Sequence, residues 1–158
     1  RDKRGKEWAI SLTYSQETNE KFYIPKNVYL IGLMNTADRS LSMIDYALRR
    51  RFAFINIDPM FNSKGFTTCL TSKGVSEVLV GKITKKMNDL NRRITDDVEN
   101  LGRGFCVGHS YFCPFESVED EEAWYMEIVL QEIIPLVQEY WFDDPDKVSL
   151  ISSELLSL

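Results

Sequence analysis

Residues 27–33 run Asn-Val-Tyr-Leu-Ile-Gly-Leu, apolar at nearly every position rather than at every second one. A strand with one wet face alternates, so an unbroken run predicts a strand buried on both faces, as in a parallel sheet covered by helices. Behind it, residues 40–48 carry apolar side chains at 41, 43, 44, 47 and 48, a helical spacing. Residues 52–57 then read as a second inner strand, closed by Asp58-Pro59. Strand, loop, helix and strand in this order make a crossover unit of an α/β sheet. Upstream, two short apolar stretches around Trp8–Tyr14 and Phe22–Ile24 flank a polar connection and predict a β-hairpin, which Pro25 closes.

After Pro59 the pattern becomes helical. Residues 76–98 carry apolar side chains at 78, 79, 80, 83, 87, 90 and 94. Residues 121–142 present Trp124, Tyr125, Ile128, Val129, Ile133, Ile134, Val137 and Trp141 at helix-like intervals. Trp124, Ile128, Val129 and Ile133 are expected to face the core. Pro135 is expected to kink that helix or divide it, and a short helix is expected over 147–156. The chain is thus expected to be α/β over residues 1–58 and all-α over 59–158.

Composition narrows the function classes. Three cysteines show no CxxC pair and only one histidine exists, so a structural zinc site, which needs about four convergent N/S ligands, is not expected. Net charge is −5, so it has no excess of basic surface to meet nucleic-acid phosphate, and DNA reading is expected of another domain. The longest apolar runs fall far short of a bilayer span, and no apolar segment follows the charged opening residues as in a secretory leader. A cytoplasmic location is expected. The abrupt polar start without methionine reads as a fragment.

Chemistry concentrates in Met34-Asn35-Thr36-Ala37-Asp38-Arg39-Ser40, at the carboxyl end of the first expected inner strand, where ligands of open α/β sheets bind. The Asn35 carboxamide both donates and accepts, so it suits holding an attacking water in line with a γ-phosphate. The plainer alternative is a turn at Asn35 with Asp38 or Ser40 capping the next helix. Arg49-Arg50-Arg51 ends that helix. A guanidinium there can stabilise a neighbouring subunit's γ-phosphate, or the three cations simply complement the helix dipole. Asp45 stands four residues before Arg49 and is expected to pair with it, leaving Arg50 and then Arg51 freer.

Taken together, residues 27–54 (NVYLIGLMNTADRSLSMIDYALRRRFAF), residues 101–112 (LGRGFCVGHSYF) and residues 142–145 (FDDP) closely resemble the McrB-type AAA+ GTPases of modified-cytosine restriction systems. The resemblance implies the C-terminal half of a P-loop AAA+ module: inner strands, a β-hairpin insertion and a helical lid. It implies that Asn35 is the sensor-1 residue and that Asp38 belongs to the same loop. Arg50 would be the arginine finger acting in trans, with Asp45 positioning the arginine cluster. His109 and Ser110 open the segment where many relatives carry a sensor-2 arginine, and here a nucleotide contact and a packing role are evenly balanced. GTP, or ATP, with Mg2+ is the implied cofactor. The implied partners are further copies in a ring, expected to be a hexamer, an McrC-type nuclease, and DNA held by a separate domain; no membrane is implied. No GxxxxGK[ST] motif occurs, and Gly102-Arg103-Gly104 lacks its ending, so the cradle and Walker B acids are expected before Arg1 and the chain alone is expected to be inactive. An ATP-driven relative of the MoxR or dynein type, and a non-enzymatic helical interaction module, are the alternatives.

Overall fold

The computed structural model describes residues 3–14, 21–34 and 50–157 and falls into two compact units, Arg1–Ile55 and Asn56–Leu158. In the first, a 3-10 turn at Lys6–Trp8 leads into strand β1 (Ile10–Ser11), which pairs antiparallel with β2 (Lys21–Phe22) in the register Ile10 to Phe22 and Ser11 to Lys21. The expected hairpin is present, with strands shorter than the apolar pattern. Backbone bonding outlasts the ladder: the Gly5 N–H donates to the Ile24 carbonyl at 2.9 Å. The Arg4 guanidinium donates to the Val28 carbonyl and lies over the Tyr29 ring.

The two expected inner strands are not strands here. Residues 27–34 and 52–57 have no ladder partner, and their apolar side chains are open to solvent: Ile31 is 88% exposed, Leu33 92% and Ile55 85%. A strand buried on both faces takes its hydrogen bonds from flanking strands. Among the described residues the one sheet is the β1–β2 pair, so nothing lies beside either run to complete a ladder. The parallel α/β sheet is therefore absent among the described residues, and the helix expected over 40–48 lies outside them.

In the second unit, α1 (Lys64–Ser72) starts where the Ser63 hydroxyl accepts from the Phe66 N–H at 3.1 Å. It stops at Gly74, whose φ of 95° suits a residue without a Cβ. A Cβ there would also sit 3.0 Å from the Val118 carbonyl oxygen. Helix α2 (Glu77–Asp96) is capped by Ser76 and buries Leu79, Val80, Ile83, Met87, Leu90 and Ile94. Of the positions expected on that face, only Val78 points outward.

The long apolar segment after Glu121 is one helix in three parts: α3 (Glu121–Ile128), a π-turn (Val129–Ile133) and α4 (Ile134–Tyr140). Its buried positions are Tyr125, Val129, Ile133, Val137 and Trp141, one every fourth residue. In a straight α-helix each four-residue step overshoots a full turn by about 40°. The wider π-turn offsets part of that drift and keeps the seam on the core. It also sets Pro135 in the first turn of α4. Trp124 and Ile128, expected in the core, are half-buried at its rim. Last comes α5 (Pro145–Leu156), begun by Asp144, whose carboxylate accepts from the Lys147 N–H at 3.0 Å.

Helices α2 and α5 and the α3–α4 rod close around one core. Phe61, Phe66 and Phe112 meet edge to face within it, and Phe112 stacks on Tyr125 with centroids 6.1 Å apart. Burying each such side chain stabilises the unit by about 1.5–3 kcal/mol.

Candidate functional site

Of the residues singled out in the sequence, Asn35, Asp38, Asp45 and Arg49 lie outside the described residues. Arg50 and Arg51 are adjacent in an exposed turn of the first unit. Among the described residues neither has an ion-pair partner, so both guanidinium groups can meet an external anion. His109 and Ser110 fall in the second unit, in a 3-10 turn (His109–Phe112). Each pair is local; the two belong to different units.

His109 sits among hydrogen bonds and rings. Its Nδ1 accepts from the Met60 N–H at 3.2 Å, and its ring meets Phe61 and Phe66 edge to face. An Nδ1 that accepts carries no proton, so the neutral ring holds its proton on Nε2. That atom has no partner among the described residues and is the one part of the side chain able to donate to a phosphate oxygen. The packing role therefore exists in the structure, and it leaves the other ring nitrogen available. Ser110 accepts through its carbonyl from the Cys113 N–H at 3.1 Å, and its side chain is exposed.

The segment carrying His109 is held by contacts that no short motif announces. The Arg103 guanidinium forks onto the Asp58 carboxylate, at 3.2 Å from Nε and 2.7 Å from Nη2. Asn91 of α2 acts as a side-chain ladder rung: its Nδ2 donates to the Val107 carbonyl at 2.9 Å, and its Oδ1 accepts from the Val107 N–H at 2.6 Å. Thr84 donates to the Phe61 carbonyl at 3.3 Å. Residues 58–61 are thereby fastened to α2 and to the stretch around His109. Arg103 and Asp58 are 45 positions apart, so no periodicity could have linked them, and the sequence pointed only to what Gly102-Arg103-Gly104 lacks.

Asp97 and Tyr125 are among the ionisable groups shifted from their ordinary values. Trp141 Nε1 donates to Asp97 Oδ2 at 2.8 Å, and that bond is the main cause holding the Asp97 carboxyl below the usual aspartate range; burial opposes it, and Asn100 and Lys147 add to the lowering. Burial pushes the Tyr125 hydroxyl up to about 12, and it donates to the Leu155 carbonyl at 2.7 Å. Among the described residues no three His, Cys, Asp or Glu side chains converge as metal ligands. No helix there is long and apolar enough to cross a membrane.

Comparison with known proteins bears on the second unit first. Residues 82–149 match the family model described as McrB, alpha-helical lid domain. The chain is 48% identical over 157 residues to a protein of Escherichia coli (strain K12) named "Type IV methyl-directed restriction enzyme EcoKMcrB subunit". The match covers 98% of this chain and 34% of the relative, so the chain spans about a third of that protein's length.

Proposed function

We propose that the chain, whose residues 82–149 match the McrB alpha-helical lid, is part of a ring-forming AAA+ nucleoside triphosphatase of the McrB type. The ring hydrolyses GTP and drives an McrC-type nuclease against DNA bearing modified cytosines. The relative's printed name, a methyl-directed restriction enzyme subunit, supports this direction. The observation that carries the reading is the pair of exposed apolar runs, residues 28–33 and 52–57, which bracket the Asn35 and Arg50 segment. Such surface is suited to burial between further strands of a parallel sheet, with Asn35 then at a strand's carboxyl end.

In this reading Asn35 orients the attacking water, and Asp38 shapes the same loop. Asp45 and Arg49 set the helix end from which Arg50, or Arg51, reaches a neighbour's γ-phosphate. His109 and Ser110 face the nucleotide, the histidine as a neutral Nε2–H donor. Bound GTP supplies the phosphoryl group that is transferred to water. The residues described here suit its phosphate oxygens and not its Mg2+, whose ligands are assigned elsewhere. The whole protein works in the cytoplasm as a closed ring, a hexamer, with DNA held by a separate domain.

Hydrolysis of GTP and of ATP by the full-length protein tests this. Arg50→Ala should leave GTP binding nearly intact and slow hydrolysis by about 10³–10⁵, the usual worth of an arginine finger. Asn35→Ala should likewise lower turnover far more than affinity. Arg50→Ala subunits mixed with phosphate-loop-inactivated subunits should regain activity at interfaces that join an intact finger to an intact cradle. Co-assembly without recovery removes the trans role, and faster ATP than GTP hydrolysis removes the nucleotide assignment.

A further inference from the structure

Two surfaces of the second unit are complementary to one another. One is a groove of 380 Å³ between α2 and α5, with Leu90, Ile151 and Leu155 at its floor. Its rim carries Lys82, Lys85, Lys86 and Arg93 against Asp89 and Glu154, and is net basic although the chain is acidic. Lys82 and Lys85 have no ion-pair partner among the described residues, whereas Arg93, on the same rim, is taken by Glu154 at 2.8 Å. The other is a knob: Phe115 is 98% exposed and is followed by Glu116, Glu119, Asp120, Glu121 and Glu122.

The knob is held out rather than loose. Lys73 Nζ donates to the Phe115 carbonyl at 2.7 Å, and the Val118 N–H donates to the Lys73 carbonyl at 2.7 Å. Gly74 gives Val118 the room to approach. Asp120 and Glu121 have local duties, as the α3 cap and as acceptor from Ser76. Glu116 and Glu119 have no ion-pair partner among the described residues. An aromatic side chain flanked by free acids matches an apolar floor rimmed by free lysines.

We propose that Phe115, with Glu116 and Glu119, docks into the α2–α5 groove of a second copy of this chain. The knob stands clear of its own groove, since Phe115 is almost fully exposed, so the contact is between copies. Knob into groove is a head-to-tail contact, which closes into rings or runs on as filaments. The inference deepens the ring assembly proposed above and adds a lid-to-lid contact to it.

The test is the assembly mass of the full-length protein by sedimentation, with and without GTP. Phe115→Ser and Lys85→Glu should each weaken association by about tenfold or more, the loss expected for a central anchor. Both are surface changes and should leave the circular dichroism and melting temperature unchanged. Glu116→Lys should weaken association alone, and the double variant Lys85→Glu with Glu116→Lys should restore it. Wild type that stays monomeric throughout overturns both this contact and the ring. Variants that assemble as tightly as wild type overturn the contact alone, leaving the Arg50 mixing result to judge the ring. Binding of a DNA oligonucleotide that Lys85→Glu abolishes, with assembly unchanged, would assign the groove to nucleic acid and overturn the proposal.

Discussion

At Tyr125 a single hydroxyl ties α3 to the last turn of α5 through the Leu155 carbonyl. Lys86 donates to that same carbonyl at 3.0 Å, so Tyr125→Phe leaves the acceptor satisfied and should cost only about 1 kcal/mol at neutral pH. The alkaline behaviour is more telling. With the folded-state value raised to about 12 from an ordinary 10, the contribution is full below pH 10 and is lost as the pH rises towards 12. Chemical denaturation across that window should show wild type losing stability that the Phe variant keeps. Asp97 runs the opposite way. Its folded value is lowered, so its ionised form stabilises above the ordinary aspartate value of about 3.9, and that contribution is lost as acid titrates the folded group. Asp97→Asn should melt lower than wild type at pH 7, with the gap closing below about pH 4; a gap that persists in acid would mean that charge is not what the Trp141 bond uses.

Helices and their ends show how differently elements announce themselves. Helix α2 was legible because a long amphipathic pattern with Ser76 before it leaves few alternatives, and six of its expected apolar positions are buried. Helix α1 was not: Gly65, Thr67, Thr68 and Thr71 are weak helix formers, and what holds it is the burial of Phe66 and Leu70, which no local pattern encodes. The expected inner strands failed for a related reason. Their apolar runs state a demand for neighbours, and the neighbours are absent among the described residues. In the candidate site, residue types were legible while partnerships were not: the Met60 N–H on the His109 Nδ1 was announced by no pattern in the sequence. Ser76 offers a test at this scale. Its hydroxyl accepts from the Leu79 N–H at 3.2 Å and donates to Glu121 at 2.9 Å, joining the starts of α2 and α3. Ser76→Ala should cost about 1–2 kcal/mol in urea denaturation, and Ser76→Thr much less. Equal losses would show that the cap geometry is not what matters.

The whole chain divides into a unit with an extensive buried core, Asn56–Leu158, and a unit whose described surface is rich in exposed apolar side chains. Near the end of the first unit Arg50 and Arg51 stand exposed, followed by exposed residues 52–57. Brief trypsin treatment should cut first after Arg50 or Arg51 and leave a protected fragment reaching the C-terminus, read by mass spectrometry. First cuts at Arg92 or Arg93 within α2 would contradict the independence of that core. The π-turn has a consequence for the whole molecule's history. A π-turn holds one residue more than the α-helical turn it replaces, so residues 129–133 mark a site where chain length is negotiable. Losing one outward-facing residue such as Leu130 would return the rod to plain α-helix, bringing Ile133 one place nearer Val129 with the flanking segments still in phase. Homologous chains that differ in length by one residue can therefore share this lid without any change to its core.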